Sequence, residues 1–193
     1  KKKHTLLEVD HNKDLIKLQI LDCCNKKIVL SCDKLILTTD PESTKKINGI
    51  HKITTQINKR IHTSKLFRIY AIYPVKNKKS WFSDLPKLTT NNPLRMFLPI
   101  DYEKGLVLIS YTDDIDVKYW EKILKKDKRP FPLLKEELHK QAKLLFKNKI
   151  NDIPEPLQII PALWDGGCYA YKKNYNGNDG MKFFTKPYDK SEI

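Results

Sequence analysis

The residues best suited to chemistry sit together in one stretch, Trp164 to Gly177, which reads W-D-G-G-C-Y-A-Y-K-K-N-Y-N-G. Gly166 and Gly167 are two of only six glycines in the chain, and Cys168 follows them directly. Tyr169, Tyr171 and Tyr175 come next, with Trp164 just before. Paired glycines let a backbone take positive φ or approach a flat ligand closely. Aromatics beside such a turn form the wall of a ligand pocket. The plainer reading of the same stretch is a tight turn before an edge strand, its aromatics buried in the core.

Other reactive side chains are dispersed. His4, His11, His51, His62 and His139 show no metal spacing, and His139 reads as a solvated helix residue. Asp113, Asp114 and Asp116 could pose as a metal site, but carboxylates favoured at a helix N-terminus account for them better. A thiol-hydrolase pair of Cys168 with a distant histidine has no support in the sequence. No G-x-G-x-x-G, Walker loop, H-E-x-x-H or G-x-S-x-G motif occurs. Cys23 and Cys24 are adjacent and poorly placed to bridge each other. Without CxxC spacing, the four cysteines read as reduced thiols in an intracellular, cytoplasmic protein with no metal.

The elements that must position these residues follow from periodicity. Residues 5–9, 15–20 and 28–32 read as the strands of a meander, with polar turns at 10–13 and 25–27. Leu35-Ile36-Leu37 is an apolar run expected to be fully buried. Asp40 before Pro41 is a helix start, for a helix over 42–48 ending at Gly49. The polar stretch 51–64 is ambiguous. Strands are expected at 66–73, 94–98 and 106–111, the last two paired across the turn at 101–105, with a short aromatic element at 80–82. Asp113 or Asp114 should cap a helix to about Lys125, with Ile115, Tyr119, Ile123 and Trp120 inward. A second helix opens at Pro130 and Pro132, and Leu134, Leu138, Ala142 and Leu145 form its apolar stripe. Leu157 to Ile160 is a strand leading into the opening stretch, and Phe183-Phe184 mark a last strand. The class is α+β: an N-terminal β-meander followed by a mixed, mainly antiparallel sheet flanked by helices.

The chain has 193 residues and a formal net charge of +14. Such charge suits nucleic acid or another anionic surface. Yet Arg60, Arg68, Arg95 and Arg129 are the only arginines, and arginine is the usual reader of guanine. The abundant lysine, asparagine and isoleucine also fit an AT-rich genome. No apolar run is long enough for a transmembrane helix, and no signal peptide is visible. The sequence begins at Lys1 and reads as an internal piece of a longer protein.

Several segments together resemble the flavin-containing amine oxidases of the monoamine and polyamine oxidase group. Cys32 to Pro41 (C-D-K-L-I-L-T-T-D-P) is similar to the stretch where that family's flavin-binding domain hands over to its substrate domain. Leu66 to Pro74 (L-F-R-I-Y-A-I-Y-P), followed by Trp81-Phe82, resembles its first long substrate-domain strand. Leu108 to Thr112 and the helix with Trp120 lie at matching distances, and G-G-C-Y, Gly166 to Tyr169, is the sharpest match.

The resemblance implies a meander remnant of a flavin-binding domain at 1–40 and a substrate-binding domain at 41–193. It implies FAD, held covalently through a Cys168 thioether, with Tyr169 as an aromatic wall and Trp164, Gly166 and Gly167 beside the ring. The substrate would be a small amine or amino acid. The family's lysine near the flavin is replaced here by Arg68, or else matched by Lys65, and Arg68 or Arg95 could instead meet a substrate carboxylate. The dinucleotide-binding motif and the C-terminal G-E segment fall outside residues 1–193, so this chain alone is expected to be inactive. A different class of function, a non-catalytic basic module binding nucleic acid or a virion surface, fits the charge. An AT-rich source with this family type suggests a giant virus or a protist.

Overall fold

A computed structural model describes residues 3–11, 15–149 and 152–188. The architecture is α+β, a three-stranded and a five-stranded antiparallel sheet flanked by helices. Two compact units divide the chain, residues 1–63 with 169–193 and residues 64–168. The division falls inside two strands, β4 (Ile61–Ile72) and β8 (Gln158–Tyr171). Among the described residues no helix is long and apolar enough to cross a membrane.

The first unit contains the meander. Strands β1 (Thr5–Asp10), β2 (Ile16–Leu21) and β3 (Lys27–Cys32) pair in sequence order, each antiparallel to the next. The polar turn expected at 10–13 lies partly outside the described residues. The turn between β2 and β3 is closed by Asn25 at φ +61°, a conformation asparagine tolerates.

Asp40 caps α1 (Pro41–Thr44) as its sequence context suggests, accepting the Ser43 N–H at 2.9 Å. The helix is one turn long rather than reaching residue 48. The chain then turns at Gly49, where φ is +82° and a methyl group would collide with the Val9 carbonyl. The ambiguous stretch resolves as α2 (His51–Arg60), which sets Ile53 and Ile57 one turn apart against Val9, Ile16, Ile47 and Ile50.

Leu35-Ile36-Leu37 is not a buried strand. The chain is irregular there, and Ile36 is 83% exposed while its two neighbours pack partly against this core. Alternation, not overall apolarity, decides which of the three faces inward. Phe183 and Phe184 lie not in a strand but in α5 (Gly177–Thr185). The Asn176 side chain starts that helix by accepting the Asn178 N–H, and this local cap prevails over the β preference of two aromatics.

The five-stranded sheet runs β5 (Leu88–Thr89), β6 (Met96–Asp101), β7 (Leu106–Asp113), β4, β8. The expected hairpin of β6 and β7 is present. Within the second unit one face of this sheet carries Phe67, Ile69, Ala71 and Val107 into a core with Trp120, Leu134 and Leu138. Helix α4 (Pro132–Leu145) buries Leu134, Leu138 and Ala142 as its stripe requires, and Asp127 accepts the Leu134 N–H at 2.7 Å.

Helix α3 (Val117–Leu124) faces differently from the expectation. A 3-10 turn at Asp114–Asp116 precedes it, with no side-chain cap from Asp113. Val117 joins Trp120 in the core, while Ile115, which lies in the 3-10 turn, is 69% exposed and Tyr119 is also exposed. The Trp120 indole donates to the Pro93 carbonyl at 3.0 Å, which satisfies its one polar atom.

Candidate functional site

All of Trp164, Gly166, Gly167, Cys168 and Tyr169 lie on β8, a single strand of 14 residues at the end of the sheet order. The edge-strand expectation holds, but the tight turn does not: neither Gly166 nor Gly167 has positive φ. Strand β8 is antiparallel to β4, and its flanks show this. The Leu157 N–H donates to the Ile72 carbonyl at 2.7 Å, and the Lys172 N–H to the Arg60 carbonyl at 2.8 Å. Gly167 answers to packing instead. A methyl group there would press into the Leu66 Cβ on β4 and lie 3.0 Å from the Trp164 Cβ. Nor are the aromatics core residues, since Trp164 is 43% and Tyr169 64% exposed.

In the second unit the pairing of β4 with β7 sets Arg68 opposite Tyr111 and Leu66 opposite Asp113. The Arg68 guanidinium lies 4.8 Å from the Tyr111 ring centre and 5.8 Å from that of Trp164. Two aromatic rings thus flank one cation, the geometry of cation–π attraction. The Arg68 Nε–H is buried and meets no acceptor. Buried donors are nearly always satisfied, so an unpaired one marks a place where an acceptor is wanted.

Cys168 is a free, half-buried thiol. Burial pushes its pKa up, and the Asp113 carboxylate pushes it further, while the Arg68 charge pulls it down. The structure therefore gathers Arg68, Trp164 and Cys168, with Gly167 packed beneath Leu66 and Trp164. Sequence reading missed Tyr111 and Asp113 as their neighbours. Only the strand register brings those two into place, and no local motif announces it.

Lys65, the other candidate for the lysine position, is engaged elsewhere. Its ammonium pairs with Glu121 at 2.5 Å and Asp165 at 3.4 Å. Arg95 forms a salt bridge with Asp116 at 2.9 Å, and both border an open polar hollow of about 620 Å³ with Tyr111 and Asp113. Among the described residues no group of three or more His, Cys, Asp or Glu could hold a metal ion. His139 is not solvated: it is half-buried on α4, its Nδ1 meets no partner, and burial lowers its pKa.

Tyr169 belongs to the first unit, where it borders a largely apolar cavity of about 650 Å³ together with Tyr171, Ile53, Ile57, Phe184 and Pro41. That volume lies in the range of small-molecule sites. Tyr171 was not singled out from Tyr175 by sequence. Its register on β8 places it in the wall, whereas Tyr175 stacks on Arg60 at 5.8 Å.

No protein-family model matches the sequence, and no curated protein matches it. Among solved structures the chain is similar to cyclohexylamine oxidase from Brevibacterium oxydans IH-35A, with a TM-score of 0.56 and 13% sequence identity. The match covers 82% of this chain and 33% of that one, so the chain spans about a third of the length of that oxidase. At this identity the likeness is one of fold.

Proposed function

We propose that a chain with this oxidase-like fold is the substrate-domain part of a flavin-dependent amine oxidoreductase acting on a small amine or amino acid. The observation that carries the reading is the grouping of Arg68, Trp164 and Cys168, with the Arg68 Nε–H left without an acceptor. The fold likeness to an amine oxidase and the G-G-C-Y sequence on β8 support it. In this reading residues 1–40 are the end of a flavin-binding domain and 41–193 the substrate domain.

The residues suit FAD in two respects. Cys168 is an uncommitted thiol with part of its surface open, and Trp164 offers an exposed aromatic face. When bound, FAD would supply the acceptor for the hydride leaving the carbon next to the amine nitrogen. Cys168 is the point of covalent attachment. Trp164 and Gly166 would border the ring and limit water there. Gly167 has a different part, since its missing side chain admits Leu66 and Trp164 to one another. Arg68 offers its unpaired N–H and its charge to a carboxylate or carbonyl acceptor, which orients the substrate. Tyr169 lines the apolar cavity of the first unit with Tyr171, where it would be the aromatic wall for an apolar ligand group.

The test is the visible spectrum of the purified intact protein and the mass of the peptide containing Cys168. Flavin absorbance that survives denaturation, and is released by Cys168→Ala, is expected. A colourless intact protein with no flavin by mass overturns the reading. The charge of +14 favours a second reading, a basic module that binds nucleic acid without catalysis.

A further inference from the structure

The hairpin between β2 and β3 ends in a pair of thiols that the proposed chemistry does not use. Cys23 and Cys24 are the two exposed cysteines of the chain, while Cys32 and Cys168 are half-buried. The turn that carries them is held from both sides. The Asp22 N–H donates to the Lys26 carbonyl at 3.0 Å, and the Asn25 N–H to the Asp22 carbonyl at 3.1 Å. The Asp22 carboxylate accepts the N–H groups of Cys24 at 2.8 Å and Lys26 at 2.9 Å. These bonds keep its pKa low, the Lys26 bond contributing most, so it stays ionised.

The two Sγ atoms lie 3.9 Å apart. A disulfide needs sulfurs ~2.05 Å apart and Cα atoms usually ~4.4–6.8 Å apart. Adjacent residues hold their Cα atoms ~3.8 Å apart across a trans peptide, so direct bridging is disfavoured. A bridging atom fits after a small closure of the two sulfurs, because a trivalent centre with a lone pair is pyramidal and takes a narrower angle than the present spacing gives, and both side chains are exposed and can rotate. With bonds to sulfur of ~2.3 Å, the observed 3.9 Å separation corresponds to a sulfur–centre–sulfur angle of about 116°. A linear two-coordinate ion would need the sulfurs ~4.6 Å apart. Among the described residues no third protein ligand completes a metal cage here. The protein therefore supplies two thiolates, and the centre must bring its remaining substituent.

The geometry points to Cys23 and Cys24 as a two-thiolate chelating site for a soft, thiophilic centre that carries its own third group, the chemistry of a monosubstituted trivalent arsenical. Soft thiolates select such centres. Capture of an arsenoxide balances without an oxidant. The two S–H bonds and the arsenic–oxygen bond break, two arsenic–sulfur bonds form, and both protons leave in one molecule of water. The oxidation state of arsenic does not change.

Phenylarsine oxide, added to the full chain in excess monothiol, tests this by intact mass and peptide mapping. One adduct on the peptide holding Cys23 and Cys24 is expected, stable to monothiol and released by a dithiol. Cys24→Ser should weaken capture about 100-fold, because the second bond is no longer intramolecular. Cys168→Ser should leave capture unchanged. Circular dichroism checks that both variants fold. An adduct found on Cys32 or Cys168 instead, or full capture by Cys24→Ser, overturns the assignment. No flavin enters the measurement, so its failure would leave the oxidoreductase reading untouched.

Discussion

Cys168 is a thiol held in its protonated form by its surroundings. Burial disfavours the thiolate first, and Asp113 repels the charge as it forms, with Arg68 opposing both. The thiolate is the nucleophile, so the folded protein should alkylate slowly at neutral pH and faster as pH rises through the elevated pKa. Asp113→Asn removes the repulsion and should move the pH–rate profile of Cys168 alkylation to lower pH. Arg68→Ala should move it to higher pH. Iodoacetamide labelling followed by mass analysis of the Cys168 peptide reads both shifts. Coincident profiles for all three proteins would mean that burial alone sets the thiol. At this scale the sequence showed Cys168 and Arg68 as unusual residues, but not that each acts on the other.

At the scale of elements, β8 is the informative case. Its G-G pair reads locally as a turn, because glycine is the commonest way to reach positive φ. The ladder to β4 overrides that tendency, and Gly167 is required by a neighbour far away in sequence, Leu66. Gly167→Ala should cost about 1–3 kcal/mol in urea unfolding, the usual range for overpacking. An unchanged midpoint would show that the two strands can separate to admit a methyl group. By contrast α4 was legible because its stripe is local: Leu134, Leu138 and Ala142 share a face in any helix. Helix α3 was read correctly at Trp120 and Ile123 but not at Ile115, since nothing local reveals that a 3-10 segment holds that residue.

At the scale of the whole molecule, the charge of +14 is the most conspicuous property and the least specific. A few of the lysines sit beside carboxylates, as Lys45 does with Glu42, Lys104 with Asp101 and Lys149 with Asp84. Exposed pairs of this kind contribute little to stability. With lysine far outnumbering arginine, binding to duplex DNA should be independent of sequence and lost by about 0.2 M salt. Fluorescence anisotropy across a salt series measures this. Tight binding that persists at that salt would favour the basic-module reading over the oxidoreductase one.

The sequence by itself determined what depends on neighbours along the chain. Alternation made the meander, a three-and-four repeat made α4, and Asp40 before Pro41 started α1. Tertiary structure alone decided which strands lie side by side and in what register. That register sets Arg68 opposite Tyr111 and within reach of Trp164, and it presses Gly167 against Leu66. The physical reason is that hydrophobic periodicity specifies which face of a strand turns inward, whereas the partner across the ladder is selected by the packing of the complete sheet.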